Sequence, residues 1–300
     1  MITPTTRTPP KPGEKPLMTL AEKESLVSKT KKATILSTAK PATEITRENY
    51  KIKAMLAGPS GSGKTQSAST LPGRLLFIDY DGRSETLAGM PNIDIIDCYD
   101  ADPKSPKAWM KAEEIRREIW SQIRAKTFPY EGIVEDGLTQ MLRYCMNWSL
   151  LLDPKRGLGG SPAKQHYMPQ MKNVSDHVLS LKSLPLHYLL NAQLEIIEDE
   201  EMGGLKYLPK ATGKMRTEIP GWFNECYFCH HHEDDKGKLR YYWTTAGTGR
   251  WDFLKSTLNQ LGKYWVDPIE LNFSREIVGF RDLLGRRFPS STEEKGVPNA

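Results

Sequence analysis

The run Gly58-Pro59-Ser60-Gly61-Ser62-Gly63-Lys64-Thr65 fits the pattern G-x-x-x-x-G-K-[ST] at every position. A loop with so little side-chain bulk can wrap its backbone N–H groups around a phosphate, and the start of a following helix adds a favourable dipole. In this spacing the Lys64 ammonium reaches the β- and γ-phosphates, and the Thr65 hydroxyl ligates magnesium. Residues 58–65 are therefore the expected cradle for a nucleoside triphosphate and Mg²⁺.

Such a cradle needs an acidic residue at the end of another buried strand to help hold the metal. Asp136, after Ile133 and Val134, is the candidate, with its neighbour Glu135 as the substitute. Asp136 joins Thr65 as an expected metal ligand.

These residues must be positioned by strands that end near one another. Ile52, Ala54 and Leu56 alternate with Lys51, Lys53 and Met55 and run straight into Gly58, so a strand feeds the loop. Pro72 and Gly73 stop the helix that follows, and Leu75 to Asp79 reads as a second buried strand. Ile93 to Ile96 reads as a third. Ser105 before Pro106 reads as a helix start, and Ala112, Ile115, Ile119 and Ile123 form one apolar stripe at helical spacing. Leu138, Met141, Leu142 and Cys145 pattern another helix. Residues 153–170 read as a loop, Met171, Val174, Val178 and Leu181 as a helix, and Leu186 to Leu190 as a strand ending at Asn191, Ala192 and Gln193. The rhythm then changes to hairpins: Leu194 to Ile197 against Leu205 to Leu208, and Phe223 to His230 against Leu239 to Thr244. Strand–helix units followed by hairpins predict an α/β fold, a mainly parallel sheet flanked by helices and extended by antiparallel strands.

Composition narrows the classes of function. The chain has 300 residues, 38% hydrophobic and 26% charged, which is ordinary for a folded protein. It contains no apolar run of the roughly 18 residues that a membrane span needs, and Met1 to Lys15 has no apolar core of a secretory signal. A cytoplasmic protein without membrane contact is expected. The four cysteines are too scattered for a disulfide framework. Net charge is +5, concentrated at the ends: residues 1–45 hold eight Lys or Arg against four Glu, and 274–300 hold five against four acidic residues. Nucleic-acid binding would then come from local patches or tails. The expected organisation is a flexible basic arm at 1–45, with a weak helical patch around Leu20 to Val27, one domain at 46–275, and a tail at 276–300.

The stretch Lys53 to Met90, with its phosphate loop, short helix and Phe77-Ile78-Asp79-Tyr80-Asp81-Gly82, resembles phage-encoded RecA-like P-loop ATPases, among them the single-strand annealing type. Ile133-Val134-Glu135-Asp136-Gly137-Leu138-Thr139, Leu189 to Glu195, Leu208-Pro209-Lys210 with Thr212-Gly213-Lys214, and Ile219-Pro220-Gly221-Trp222-Phe223 are similar in the same order, so the resemblance spans about residues 50–275. It implies a RecA-like, AAA-type ATP hydrolase with ATP and Mg²⁺ as cofactors. By position it places the water-activating carboxylate on Asp81, where a glutamate is usual, and the γ-phosphate-sensing amide on Gln193, so Lys64, Asp81 and Gln193 become the expected catalytic set.

The resemblance also implies single-stranded DNA as partner, recombination as the process, and a ring or filament of identical chains. DNA-binding loops fall at 153–170, offering Lys155, Arg156, Lys164, His166 and Tyr167, and at 198–221, offering Lys206, Tyr207, Lys210, Lys214 and Arg216. A cation from a neighbouring copy would reach the γ-phosphate, with Arg250 or Lys214 as candidates. The tails are the natural contact for a single-strand-binding protein or another replication partner. A hexameric helicase or motor and a nucleotide-gated assembly factor without DNA activity are the alternatives on the same core. Cys226-Tyr227-Phe228-Cys229 followed by three histidines invites a metal reading, but an offset of three along a strand sends the two thiols to opposite faces. Tyr241, Tyr242 and Trp243 read as hairpin core in preference to a base-stacking platform, and Phe280 to Phe288 as a docking helix or a frayed end.

Overall fold

In the computed structural model, the described residues are 35–102, 104–155, 160–198, 203–260, 262–273 and 278–289. The expected patch at Leu20 to Val27, Arg156, and the end of the chain beyond residue 289 lie outside them. The chain divides into two compact units, Met1–Ile45 and Thr46–Ala300. Described residues of the first form two short 3-10 turns, Ile35–Thr38 and Ala42–Glu44.

The second unit is built on ten strands: β1 (Lys53–Ala57), β2 (Leu75–Asp79), β3 (Ile93–Asp97), β4 (Gly132–Asp136), β5 (His187–Ala192), β6 (Leu194–Glu198), β7 (Leu205–Pro209), β8 (Glu225–Glu233), β9 (Leu239–Thr244) and β10 (Ile269–Leu271). Eight of them form one sheet in the order β3-β2-β4-β5-β1-β8-β9-β10, and β6 pairs with β7 separately. The six strands from β3 to β8 in that order are parallel, while β9 runs against β8 and β10 against β9. The helices are α1 (Lys64–Ala68), α2 (Ala108–Ala125), α3 (Leu138–Leu151), α4 (Lys164–Lys182), α5 (Met215–Glu218) and α6 (Phe280–Arg287). This is the mixed α/β architecture of a P-loop NTPase core.

Strands β2, β4 and β5 are buried at every position, because helices or chain cover both faces of the sheet. On one face, Trp109 and Ile119 of α2, Met141 and Cys145 of α3, and Val174 and Val178 of α4 pack on Met55, Ile78 and Leu190. On the other, Ala68 of α1 and Phe280, Leu283 and Leu284 of α6 pack on Leu56, Phe77 and Tyr227. Lys53, within the first strand, is turned inward, where its Nζ donates to the carbonyls of Leu184 at 2.7 Å and Leu186 at 2.6 Å. Among the described residues, no helix is long and apolar enough to cross a membrane.

Three local expectations are corrected. Helix α2 begins at Ala108, not at Ser105, because the Asp100 carboxylate accepts from the amides of Lys107 at 2.6 Å and Ala108 at 2.8 Å and sets the first turn there. The expected loop 153–170 gives way to helix at Lys164, and α4 continues through Pro169, whose missing N–H removes only one bond near the helix start. The segment expected as a tail contains α6, whose apolar face belongs to the core. The amides of Phe280 and Arg281 donate to the hydroxyl and carbonyl oxygens of Thr70, just past α1. Phe280→Ala is accordingly expected to destabilise the fold by about 3–5 kcal/mol, the usual range for truncating a buried phenylalanine. Urea unfolding measures this; a loss under about 1 kcal/mol would show that α6 stands outside the cooperative core.

Candidate active site

Parallel strands all end on one edge, so β1, β2, β4 and β5 deliver their following residues to a common rim. Because β5 lies between β1 and β4, Asn191 and Gln193 come to stand between the glycine loop and Asp136. Ser60 to Gln66, Asp81, Arg83, Thr86, Asp136, Asn191, Gln193 and Tyr241 line one cleft of about 280 Å³. Lys64, Thr65, Asp81, Asp136 and Gln193, five residues scattered over 130 positions of sequence, are thus brought together.

The loop has little room for side chains. A Cβ on Gly58 would lie 2.4 Å from the Cys229 carbonyl oxygen of β8, and its amide donates to the Ala192 carbonyl of β5. Gly63 adopts φ +79°, and a Cβ there would meet the Tyr241 ring at 2.9 Å. The Lys64 Nζ folds over the loop, donating to the carbonyls of Gly58 at 3.0 Å and Pro59 at 2.7 Å. Burial lowers the Lys64 pKa from the ordinary lysine value, while Cys229, Asp136 and Asp81 act in the opposite sense. A phosphate in the cleft would reverse that penalty.

Asp136 and Asp81 face each other across the rim. The Thr65 and Asn191 side chains hydrogen-bond to the Asp136 carboxylate, the latter at 3.0 Å, and moderate the rise in pKa that burial imposes. Asp81 is also raised, first by burial and next by the Asp136 charge. Asp81 Oδ1 and Asn191 Oδ1 are buried without a hydrogen-bond partner among the described residues. The Thr65 hydroxyl beside the Asp136 carboxylate fits a hard divalent cation such as Mg²⁺, which takes one or two carboxylates and completes its shell with phosphate and water, and leaves the orphaned Asp81 oxygen free to accept a proton. Gly137, at φ +119°, lets the two carboxylate loops approach: a Cβ there would sit 2.8 Å from Asp81 Oδ1.

Asp79 has a different task from Asp81. Its carboxylate accepts from the amides of Asp81 at 2.9 Å, Gly82 at 2.8 Å and Arg83 at 3.0 Å, which folds the turn that aims Asp81 and Arg83 at the cleft. Glu135 does not substitute for Asp136. Alternation along β4 sends it to the opposite face, where it is wholly buried and accepts from the hydroxyls of Tyr80 at 2.9 Å and Tyr188. His177 bridges Glu135, 2.7 Å from its Nε2, to Glu113, 2.8 Å from its Nδ1, and Glu113 takes a two-pronged contact from Arg116.

The expected DNA-binding cations are less free than the sequence implies. Lys206 pairs with Asp252 at 2.9 Å, Lys214 with Glu218 at 3.0 Å, and Arg216 with Glu195 at 3.3 Å, while Lys210 is exposed. His166 is buried at the start of α4, where its Nδ1 accepts from the Ala163 amide and its Nε2 lies 3.2 Å from Asp153. It is a helix-capping residue, not a mobile cation. Neither Arg250 nor Lys214 lines the cleft of its own chain, whereas Arg83 does.

Cys226 and Cys229 pack into the clusters on opposite faces of the sheet, and among the described residues no group of three or more His, Cys, Asp or Glu is arranged to hold a metal ion. Trp243 is core as expected. Tyr241 is core only in part: it packs against the cluster on its face of the sheet but is incompletely buried and also lines the cleft. Arg83, Thr86, Asn191 and Tyr241 are the lining residues that sequence reading missed. Asn191 stood in plain view at a strand end, two residues before Gln193. Tyr241 falls in an aromatic run that reads as hairpin core, and it reaches the rim only because its strand runs antiparallel to β8.

Comparison with known proteins adds one assignment. A family model described as an AAA domain matches residues 50–251, two thirds of the chain. No curated protein matches it.

Proposed function

Since the chain belongs to the AAA-domain family of P-loop ATPases, we propose that it is a magnesium-dependent ATPase that binds single-stranded DNA and serves recombination of the phage single-strand annealing type. ATP binding drives assembly of copies, as a ring or filament, on the strand, and slow hydrolysis permits release. Residues 58–65 hold the phosphates, and Lys64 exchanges its two carbonyl contacts for β- and γ-phosphate oxygens. A Mg²⁺ held by Thr65 and Asp136 would neutralise charge on those phosphates.

Asp81, with a raised pKa and an unpartnered oxygen, accepts a proton as a water oxygen bonds to the γ-phosphorus and the bond to the β–γ bridging oxygen breaks. ADP leaves with the electron pair of that bond. Arg83 lines the cleft from the same chain and would stabilise the developing charge, leaving Arg250 or Lys214 of a neighbouring copy as an additional cation.

The observation that favours DNA as the partner is the link between cleft and hairpin. The Lys210 amide donates to the Gln193 carbonyl at 2.7 Å, so the residue beside the γ-phosphate is bonded to the segment bearing Lys206, Lys210, Lys214 and Arg216. A shift of Gln193 between nucleotide states would move those cations together. The exposed Lys214–Glu218 pair contributes about 0–1 kcal/mol, and it and the partly exposed pairs of Lys206 and Arg216 can be exchanged for strand phosphates.

The test is a titration of labelled single-stranded DNA over a salt series, with and without ATP and Mg²⁺. We expect affinity to require ATP, to fall with salt, and to drop about tenfold or more when Lys206, Lys210, Lys214 and Arg216 are replaced together by alanine. ATP affinity unaffected by DNA, with no strand binding in either condition, would instead establish a nucleotide-gated assembly factor. Annealing of complementary strands without unwinding separates the proposal from a helicase.

A further inference from the structure

The direction in which a triphosphate must lie follows from the strand order. Asp81, Asp136 and Gln193 come from β2, β4 and β5, all on one side of β1, while β8 and β9 lie on the other. A terminal phosphate drawn toward the carboxylates therefore leaves its nucleoside pointing toward β8 and β9. What stands there is Tyr241. Because β9 is antiparallel, its beginning, not its end, reaches the phosphate-loop rim. Pairing places Tyr241 opposite His231, three residues beyond Phe228, which aligns with Ala57 at the end of β1.

The ring is held from its sides. Phe273 lies 5.7 Å away at 60° and His231 5.8 Å away at 51°, both tilted, so neither lies flat on the ring. One side of the ring lies against Gly63, where a Cβ would meet it at 2.9 Å. A braced, partly buried aromatic ring that lines the cleft on the nucleoside side of a phosphate cradle has the geometry of a base-stacking surface.

We propose that Tyr241 is the platform on which the base of the bound nucleotide stacks. This rests on the ATP reading above. Phosphate contacts come from the loop, so the ring distinguishes a nucleotide from a bare polyphosphate.

Calorimetry with ATP and with inorganic tripolyphosphate, each with Mg²⁺, tests the assignment on the full chain. Wild type should bind ATP more tightly than tripolyphosphate. Tyr241→Ala is expected to weaken ATP about tenfold or more while changing tripolyphosphate less than about twofold, given the usual contribution of a stacked base. Tyr241→Phe should behave as wild type. Tyr241→Leu, which keeps bulk against Gly63 without an aromatic face, should lose the same discrimination as alanine.

Unchanged ATP affinity in Tyr241→Ala, or equal weakening of both ligands in a folded variant, overturns the assignment. Tripolyphosphate binding by wild type with no advantage for ATP overturns it too, and leaves the phosphate cradle standing. If wild type takes up neither ligand, the ATP reading itself fails and the platform falls with it.

Discussion

Lys64→Ala is expected to reduce ATP hydrolysis by at least about 10²-fold while leaving the fold intact. A charge-bearing donor aimed at the transferred phosphoryl group contributes on the order of 10²–10³ in turnover, because charge accumulates on the phosphate oxygens and their leaving group. The Lys64 stem is only half-buried, and its ammonium contacts are to loop carbonyls of Gly58 and Pro59 rather than to core groups. Its removal also relieves a buried charge whose pKa burial already depresses. Structure and chemistry are therefore separable at this position. Steady-state phosphate release, alongside circular dichroism and a melting curve, measures both. Turnover within about threefold of wild type in a folded variant would remove the loop from the reaction.

Glu135→Ala should destabilise the fold by about 3–5 kcal/mol, the range seen when one partner of a buried ion pair is removed. The Glu135 carboxylate is wholly buried, which alone would raise its pKa; the His177 charge and hydrogen bonds from His177, Tyr188 and Tyr80 outweigh burial and lower it. Burial likewise opposes the charged form of His177, but Glu135 and Glu113 raise its pKa to about 9. Removing Glu135 leaves two buried tyrosine hydroxyls and one imidazole edge without their acceptor. The effect falls where the site can feel it, since Tyr80 precedes Asp81 and Glu135 precedes Asp136.

The same network sets the sign of a pH dependence. A histidine whose pKa is raised on folding contributes its full stabilisation below its ordinary value of 6.5 and loses it as pH rises through about 9. Wild-type stability should therefore decline from about pH 7 to 9.5, with proton release on unfolding, and His177→Ala should flatten that decline. Urea midpoints across this range provide the measurement. A wild-type profile with the same slope as the variant would mean that His177 is neutral in the fold.

Much of the architecture is legible in the sequence. Leu75–Asp79 and Leu239–Thr244 appear with the bounds their apolar runs implied, and Ala112, Ile115, Ile119 and Ile123 form the face that α2 turns to the sheet. Such patterns are local: burial on a strand or a helix face selects residue types at fixed periods. Where interactions reach further, the reading erred. Helix α2 starts where Asp100 reaches it, α4 passes through a proline, and α6 is held by Thr70, some 210 positions away in sequence.

The glycine loop, its lysine and its threonine were determined by sequence alone, because a phosphate cradle is a contiguous device whose chemistry follows from eight neighbouring residues. That Asp136 lies beside Thr65, that Asp81 faces the cleft while Asp79 folds the turn, and that Glu135 serves the core were decided by the tertiary structure. Strand order and alternation determine which side chains from distant segments share a rim, and neither is written in any single segment. Tyr241 is the extreme case: only the reversal of one strand carries its ring to the mouth of the loop.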